Sequence, residues 1–264
     1  MGQTKRFAVV GTDARQQAAG RALARAGYAV GGAGQAAQAD CILLPLPLEE
    51  CGIPLETLLC TAKPGALVLG GRVSDRAMDL ARAAGVELVD YAARPELAVY
   101  NAVPTAEGCI GILLQQRTRT LWGGTLLLLG FGPVGQALGV RLTALGMKVT
   151  VCARHAEQRA LAESLGMHSA ALCCLDALAP AFDTVVNTIP APVLTAAVLA
   201  AMPPGSRIVD LASKPGGTDF DAARRLGHRA VHALRLPAVC APETAGQVLA
   251  RTVLTIMRER EERP

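Results

Sequence analysis

The run Gly130-Phe131-Gly132-Pro133-Val134-Gly135 follows the apolar stretch Thr125–Leu129 and opens a stretch with helical spacing, Pro133–Leu145. Few backbones suit three glycines at that spacing between a strand and a helix. The first allows a tight turn, the second lets a diphosphate approach the main chain, and the third lets helix and strand pack closely. A helix starting there offers unpaired N–H groups and the positive end of its dipole to an anion. Without a ligand the same glycines make only a strand–helix turn. Strands on both sides, the next being Lys148–Cys152, place them inside a βαβ unit and favour a dinucleotide.

The tip of that next strand selects the nucleotide. Binders of the unphosphorylated ribose usually carry Asp or Glu ~20 residues past the glycines. Here the strand ends Val151-Cys152-Ala153-Arg154-His155, with no acid. A guanidinium at Arg154, helped by Arg159, suits a 2′-phosphate, so the expected cofactor is NADP(H). Arg154 as a solvated surface charge is the plainer alternative.

The same alternation runs along the whole chain. Strands are expected at Phe7–Val10, Cys41–Leu44, Ala66–Leu69, Glu87–Val89, Thr125–Leu129, Lys148–Cys152, Thr184–Asn187, Arg207–Leu211 and Ala230–Ala233. Helices are expected at Ala14–Ala26, Asp75–Ala84, Pro133–Leu145, Ala156–Leu165, Val193–Ala201 and Asp219–Leu226, with longer ones at Pro104–Gln116 and Glu243–Arg260. Strands separated by helices and closed by Gly or Pro indicate parallel sheets. The fold class is therefore α/β, with two Rossmann-like doubly wound parallel-sheet domains joined by two long crossover helices. The first domain is expected over 1–100, completed by the C-terminal helix 243–264. The NADP-binding domain is expected over 101–242, with a linker helix at 101–118. A cleft between two such domains commonly brings cofactor and substrate together.

Composition narrows the function. Hydrophobic residues make up 51% and charged residues 18%, which suits a buried α/β core. A net charge of +4, without a basic block, lacks the footprint of a nucleic-acid binder. The eight cysteines form no CxxC pair and no zinc-type cluster, so no metal is expected, and they read as structural thiols of a reducing cytoplasm. The apolar runs look too short or too interrupted by Gly and Pro to cross a bilayer, and no leader is recognised.

Ligands of open α/β sheets lie beyond the carboxyl ends of the strands. That places Asn187-Thr188-Ile189-Pro190 and Leu211-Ala212-Ser213 at the nicotinamide side of the cofactor, with Gly130, Gly132, Pro133, Val134 and Gly135 at the diphosphate and Ala153, Arg154 and His155 at the ribose. Gly216 and Gly217 allow close backbone approach or positive φ. In the first domain, Asp13 is either an N-cap or a site residue. Arg15 in a first helical turn does not complement the helix dipole and is a candidate anion binder. The four histidines, His155, His168, His228 and His232, read as peripheral to catalysis.

Several segments together resemble the dipicolinate synthase A-subunit family: Gly11–Gln16, Tyr100–Gly108, Gly130–Gly135, Asn187–Pro190, Asp210–Phe220 and Leu236–Gln247. The likeness spans essentially the whole chain. The Tyr100–Gly108 segment, the Pro-Gly-Gly-Thr-Asp loop at 215–219 and the last segment are its specific parts. The chain departs from the pattern at Lys214, where Arg is expected, and at Glu243, where Lys is common. The resemblance implies loss of water and hydride from a 4-hydroxy-tetrahydrodipicolinate-type ring to give dipicolinate during sporulation. It further implies cytoplasmic location in the mother cell and a partner, the flavoprotein-like B subunit.

A flat dianion needs cations, and a dehydration needs a proton shuttle. Arg15 and Lys214 are the candidate carboxylate binders, with Asp13, Thr105 and Thr218 beside the substrate. Glu107 is the acid/base candidate, Tyr100 a weaker one, and Lys214 a further catalytic candidate. Glu107 also fits a first-turn acid favoured by the helix dipole. The alternatives are an NADP-dependent shikimate- or 2-hydroxy-acid-type dehydrogenase acting as a single chain or homo-oligomer, and a non-catalytic NADP-binding subunit.

Overall fold

The computed structural model of the chain describes residues 5–262, apart from the side chains of 49 and 50. The chain divides into two compact units, one formed by Met1–Asn101 with Pro237–Pro264 and the other by Ala102–Leu236.

The first unit begins β1 (Arg6–Val9), α1 (Ala14–Arg25), β2 (Ala29–Gly31), β3 (Cys41–Leu43), α2 (Leu55–Thr61), β4 (Leu67–Gly70), α3 (Asp75–Ala83) and β5 (Glu87–Asp90). Helix α4 (Pro95–Gln115) carries the chain into the second unit. There follow β6 (Thr125–Leu129), α5 (Pro133–Ala144), β7 (Lys148–Ala153), α6 (Ala156–Ser164), β8 (His168–Ala171), α7 (Leu175–Leu178), β9 (Thr184–Asn187), α8 (Ala196–Ala201), β10 (Arg207–Asp210), α9 (Phe220–Arg225) and β11 (Arg229–His232). Short α10 (Leu236–Cys240) and long α11 (Pro242–Glu261) end the described chain, α11 lying in the first unit.

Both sheets are parallel throughout. The first unit has five strands in the order β2-β1-β3-β4-β5, and the second has six in the order β11-β10-β9-β6-β7-β8. Both are doubly wound orders, and the second is that of dinucleotide-binding domains. In each, the direction of winding reverses once, between β1 and β3 and between β6 and β9.

Alternation along each strand fills both faces. In the first unit, Ala8, Val10, Ile42, Leu44 and Val68 meet Leu58, Leu59, Ala77 and Ala81 of α2 and α3. On the other face Phe7, Leu43 and Leu69 meet Ala19 and Leu23 of α1 and Leu249, Val253 and Ile256 of α11. In the second unit, Leu126, Leu128, Val149 and Val151 pack on Ala106, Cys109 and Leu113 of α4 and on Leu138 and Leu142 of α5. Leu127, Leu129, Val185 and Ile208 cover the opposite helices. Full burial of each such leucine contributes about 1.5–3 kcal/mol, so the strands are set by tertiary packing.

Three sequence expectations change. Helix α4 starts at Pro95 and runs through Pro104 instead of starting there. The proline removes one helical N–H bond, but Leu97, Ala102, Ala106, Cys109 and Leu113 are buried along the helix and carry it across. The unbroken helix also reaches a mean hydropathy of 1.4, so its length and composition meet the requirement for a membrane span, with 39% of that window buried. Finally, the edge strands β2 and β8 are additional, short and weakly apolar.

Candidate dinucleotide site

The turn after β6 is shaped as its glycines require. Gly130 has φ 88°, and a Cβ on it would stand 2.4 Å from Thr188 Oγ1 and 2.9 Å from Ile189 Cγ1. A Cβ on Gly135 would stand 2.4 Å from the Gly130 carbonyl oxygen, so helix and turn touch through main chain. Gly132, the N-cap of α5, has open space where its Cβ would be. Two glycines thus close the scaffold and the middle one leaves room for a ligand.

A cavity of about 270 Å³ opens over that turn. Gly130–Val134 form its floor, Arg154, His155, Gln158 and Leu172 one wall, and Thr188, Ile189 and Pro190 the other. Pro133 occupies the first helical position, where its missing N–H costs nothing. The residues fit a diphosphate on the helix N-terminus, with Leu172 and Ile189 contributing apolar lining.

Arg154 and His155 are exposed at the tip of β7, and Ala153 beneath them is fully buried. Arg159 turns back instead, its Nη1 donating to the Ala153 and Arg154 carbonyls at 3.1 and 2.8 Å. It therefore pins the strand end that presents Arg154.

Asp210, at the end of β10, organises the loops on the other side. Its buried carboxylate accepts Asn187 Nδ2 (3.0 Å), the Ala212 amide (3.0 Å), the Gly217 amide (2.9 Å) and the Thr218 hydroxyl (2.7 Å). Four donors allow a carboxylate to stay fully buried without a cation. Asn187 also exchanges bonds with the Ile189 main chain, donating to its carbonyl and accepting from its amide at 3.0 Å. The side chains of Asn187 and Thr218 are thus engaged in shaping the two loops. Gly217 lies so close to the first loop that a Cβ would be 2.4 Å from Asn187 Nδ2.

The histidines are less peripheral than expected. His155 lines the cavity, and His232 bonds the Ala212 carbonyl through Nε2 at 2.8 Å while stacking on Phe220. His155 stands where the ribose side of the site was expected, whereas the neighbours of His232 come from distant segments, which hid it in the sequence. His228 is buried against the Leu199 carbonyl, and His168 starts edge strand β8. Sequence reasoning also missed Asp210, Phe131, Gln158 and Leu172.

The remaining candidates divide between the units. Thr105 and Glu107 lie on α4 within the second unit, Glu107 exposed, and Lys214 is exposed in the loop after β10. Glu107 lies deep within α4, which excludes its reading as a first-turn acid. In the first unit Asp13 caps α1, accepting the Gln16 amide at 2.9 Å. Arg15 is buried and donates from Nη2 to the Leu46 carbonyl. Tyr100 lies under Arg251, whose guanidinium is 4.8 Å from the ring centroid. Glu243 pairs with Arg21 on the neighbouring helix. Burial pushes the Cys41 and Cys152 thiols up to about 11 and Cys109 up to about 12.

A parallel sheet in this order, with a glycine turn and cavity where its winding reverses, defines a nicotinamide-dinucleotide-binding domain of the dehydrogenase type. Residues 112–215 match the NAD-binding domain of the D-isomer specific 2-hydroxyacid dehydrogenases. The dipicolinate synthase A subunit of Bacillus subtilis (strain 168) is 35% identical over 197 residues, 74% of this chain and 66% of that protein, just under two thirds of its length. The crystal structure of the dipicolinate synthase A subunit from Bacillus halodurans has a TM-score of 0.88 at 30% identity, covering 98% of both chains. That of the Bacillus subtilis protein has a TM-score of 0.86 at 29% identity, covering 99% of this chain and 98% of the other. The chain belongs to the dipicolinate synthase A-subunit family.

Proposed function

We propose that this chain is the NADP-dependent A subunit of a dipicolinate synthase, working with a flavoprotein-like B subunit in the mother-cell cytoplasm of a spore-forming bacterium. The observation that carries the cofactor choice is the tip of β7: an exposed Arg154 lines the cavity where a ribose-binding carboxylate would otherwise stand. A guanidinium there binds a 2′-phosphate through paired, charge-assisted hydrogen bonds.

The substrate is a cyclic dicarboxylate with a hydroxyl at the ring carbon opposite nitrogen. Loss of that hydroxyl with a neighbouring ring proton releases water and leaves a dihydropyridine ring. Removal of a hydride and a proton then gives the aromatic pyridine dicarboxylate. Bound NADP supplies the hydride acceptor. The protein binds, orients and moves protons: Arg15 offers a cation to a carboxylate, while Lys214, Glu107 and Tyr100 are the groups offered to the departing hydroxyl and its proton. The amides at the start of α5 hold the diphosphate, and the Asp210 network fixes the loops carrying Thr188 and Ala212.

Calorimetric titration with NADP and NAD tests the cofactor. Arg154→Asp is expected to weaken NADP at least about tenfold more than NAD, because it removes a charge-assisted hydrogen bond and adds a repulsion. Equal weakening would place the 2′-phosphate elsewhere. Pyridine dicarboxylate formation by the chain with its B-type partner tests the reaction. The match to 2-hydroxyacid dehydrogenases supports a second reading, an alcohol–ketone dehydrogenase acting alone, and turnover of a simple hydroxy acid without partner would select it.

A further inference from the structure

The first unit has its own point of reversed winding, between β1 and β3. After β1 the chain leaves through α1 toward the face of Phe7 and Leu43, and after β3 through α2 toward the face of Ala8 and Ile42. The carboxyl ends of two neighbouring strands thus diverge, which is where open α/β sheets bind ligands.

Arg15 stands at that point. The residue is only 9% exposed, and its Nη2 reaches across to the Leu46 carbonyl, beyond the end of β3. Its Nε is buried without a hydrogen-bond partner. Asp13 balances its charge but leaves that donor idle: one carboxylate oxygen takes the Gln16 amide, and the other forms an ion pair with Nη2 at 3.9 Å, beyond hydrogen-bond distance and away from Nε. A buried guanidinium with an idle donor is costly and is expected where a ligand completes the pairing.

A second cation stands one strand further along. Arg72 follows β4 and has φ 57°, a left-handed conformation uncommon for a residue with a side chain. Asp90 holds it, its two oxygens accepting the Arg72 and Val73 amides at 3.0 Å each. The Arg72 side chain is exposed and has no ion pair or hydrogen bond among the described residues. Leu46 follows β3, the strand beside β4: its carbonyl receives Arg15, and its Cδ1 is 2.8 Å from where a Cβ on Gly71, the residue before Arg72, would lie. The buried ring of Tyr91 is equally close to that Cβ position, giving the same place an apolar wall.

We propose that Arg15 and Arg72 form a two-point anion clamp at the carboxyl edge of the first sheet, each taking one carboxylate of a flat dicarboxylate. Arg72 is the residue that makes the site prefer a dianion to a monoanion. This deepens the proposed reaction and rests on its dicarboxylate substrate.

The full chain, with NADP present, is titrated calorimetrically with pyridine-2,6-dicarboxylate, benzene-1,3-dicarboxylate and pyridine-2-carboxylate. Arg72→Met is expected to weaken both dicarboxylates about ten- to hundredfold, the value of a charge-assisted pair. It should leave pyridine-2-carboxylate and NADP binding unchanged, and Arg72→Lys should recover part of the loss. Arg15→Met should weaken all three acids, with the melting temperature measured alongside because the residue is buried. An unchanged preference for dicarboxylates in Arg72→Met overturns the clamp, as does a wild-type chain that binds neither dicarboxylate. Dicarboxylate binding through Arg72 without product formation alongside the B-type partner would remove the proposed reaction and leave the clamp standing. Synthase activity indifferent to Arg72→Met would do the reverse.

Discussion

Alanine at Gly132 and alanine at Gly135 should separate ligand binding from folding within a single turn. Gly132 has a φ of −75°, which alanine adopts freely, and no heavy atom lies within 4 Å of the added Cβ. Gly132→Ala should therefore leave stability unchanged or raise it by about 0.4–1 kcal/mol through a stiffer unfolded chain. The open space it fills is where a diphosphate must lie against the main chain, and overpacking there costs about 1–3 kcal/mol. The nucleotide dissociation constant should rise about five- to 150-fold, at tenfold per 1.4 kcal/mol. Gly135→Ala meets the Gly130 carbonyl oxygen at 2.4 Å and can be accepted only by moving main chain. It should lose about 1–3 kcal/mol of stability, a fall of several degrees in Tm, and weaken the nucleotide as well. Thermal unfolding and titration with NADP measure both quantities on the same samples. Wild-type nucleotide affinity in Gly132→Ala would refute the reasoning, because the diphosphate could not then rest on residue 132.

Asp40 accepts Lys63 and the Arg6 amide, which together hold its carboxyl below the ordinary 3.8. Its stabilising contribution is present above that ordinary value and lost as pH falls through the lowered one, so the Tm gap between wild type and Asp40→Asn should be open at pH 6 and close in strong acid. A gap that widens in acid would contradict the assignment. Native-state thiol labelling should modify Cys60, Cys173, Cys174 and Cys240, which are exposed, and spare Cys41, Cys51, Cys109 and Cys152 until unfolding, as mass spectrometry can read. Asp210→Asn points an amide at donors already facing that position. It should cost about 1–3 kcal/mol and speed hydrogen exchange at Gly217 and Ala212. Gly246→Val on α11 would bring a Cβ within 2.4–2.6 Å of Ala18 Cβ, the Arg15 carbonyl oxygen and the Ala19 amide nitrogen of α1. A Tm fall of several degrees is expected, and an unchanged Tm would mean that the two helices are not held so close.

The glycine turn was readable because every part of it is local: an apolar strand, spaced glycines, then a helix, all within Thr125–Ala144. The absence of an acid beyond β7 was readable for the same reason. Helix α4 was misplaced because Pro104 is a local signal, whereas the burial of Ala106, Cys109 and Leu113 that overrides it depends on strands further along the chain. Asp210 and His232 were invisible as site elements because their partners lie up to 23 residues away and meet them only once β9, β10 and β11 are side by side. Arg15 drew attention as an anomaly of helix electrostatics. Its counterpart Arg72 did not, since nothing in Gly-Gly-Arg-Val announces a left-handed arginine.

Helix α11, built from the last described residues, belongs to the same body as the opening strand. During synthesis the strands of this sheet are made long before α11, so one face stays bare of Leu249, Val253 and Ile256 while the whole intervening unit is being made. The intervening body is contiguous, and its last residue precedes α11 in the chain. A chain cut just before α11 would keep every residue of the nucleotide-binding unit and leave the other with a greasy flank open to chaperones and proteases.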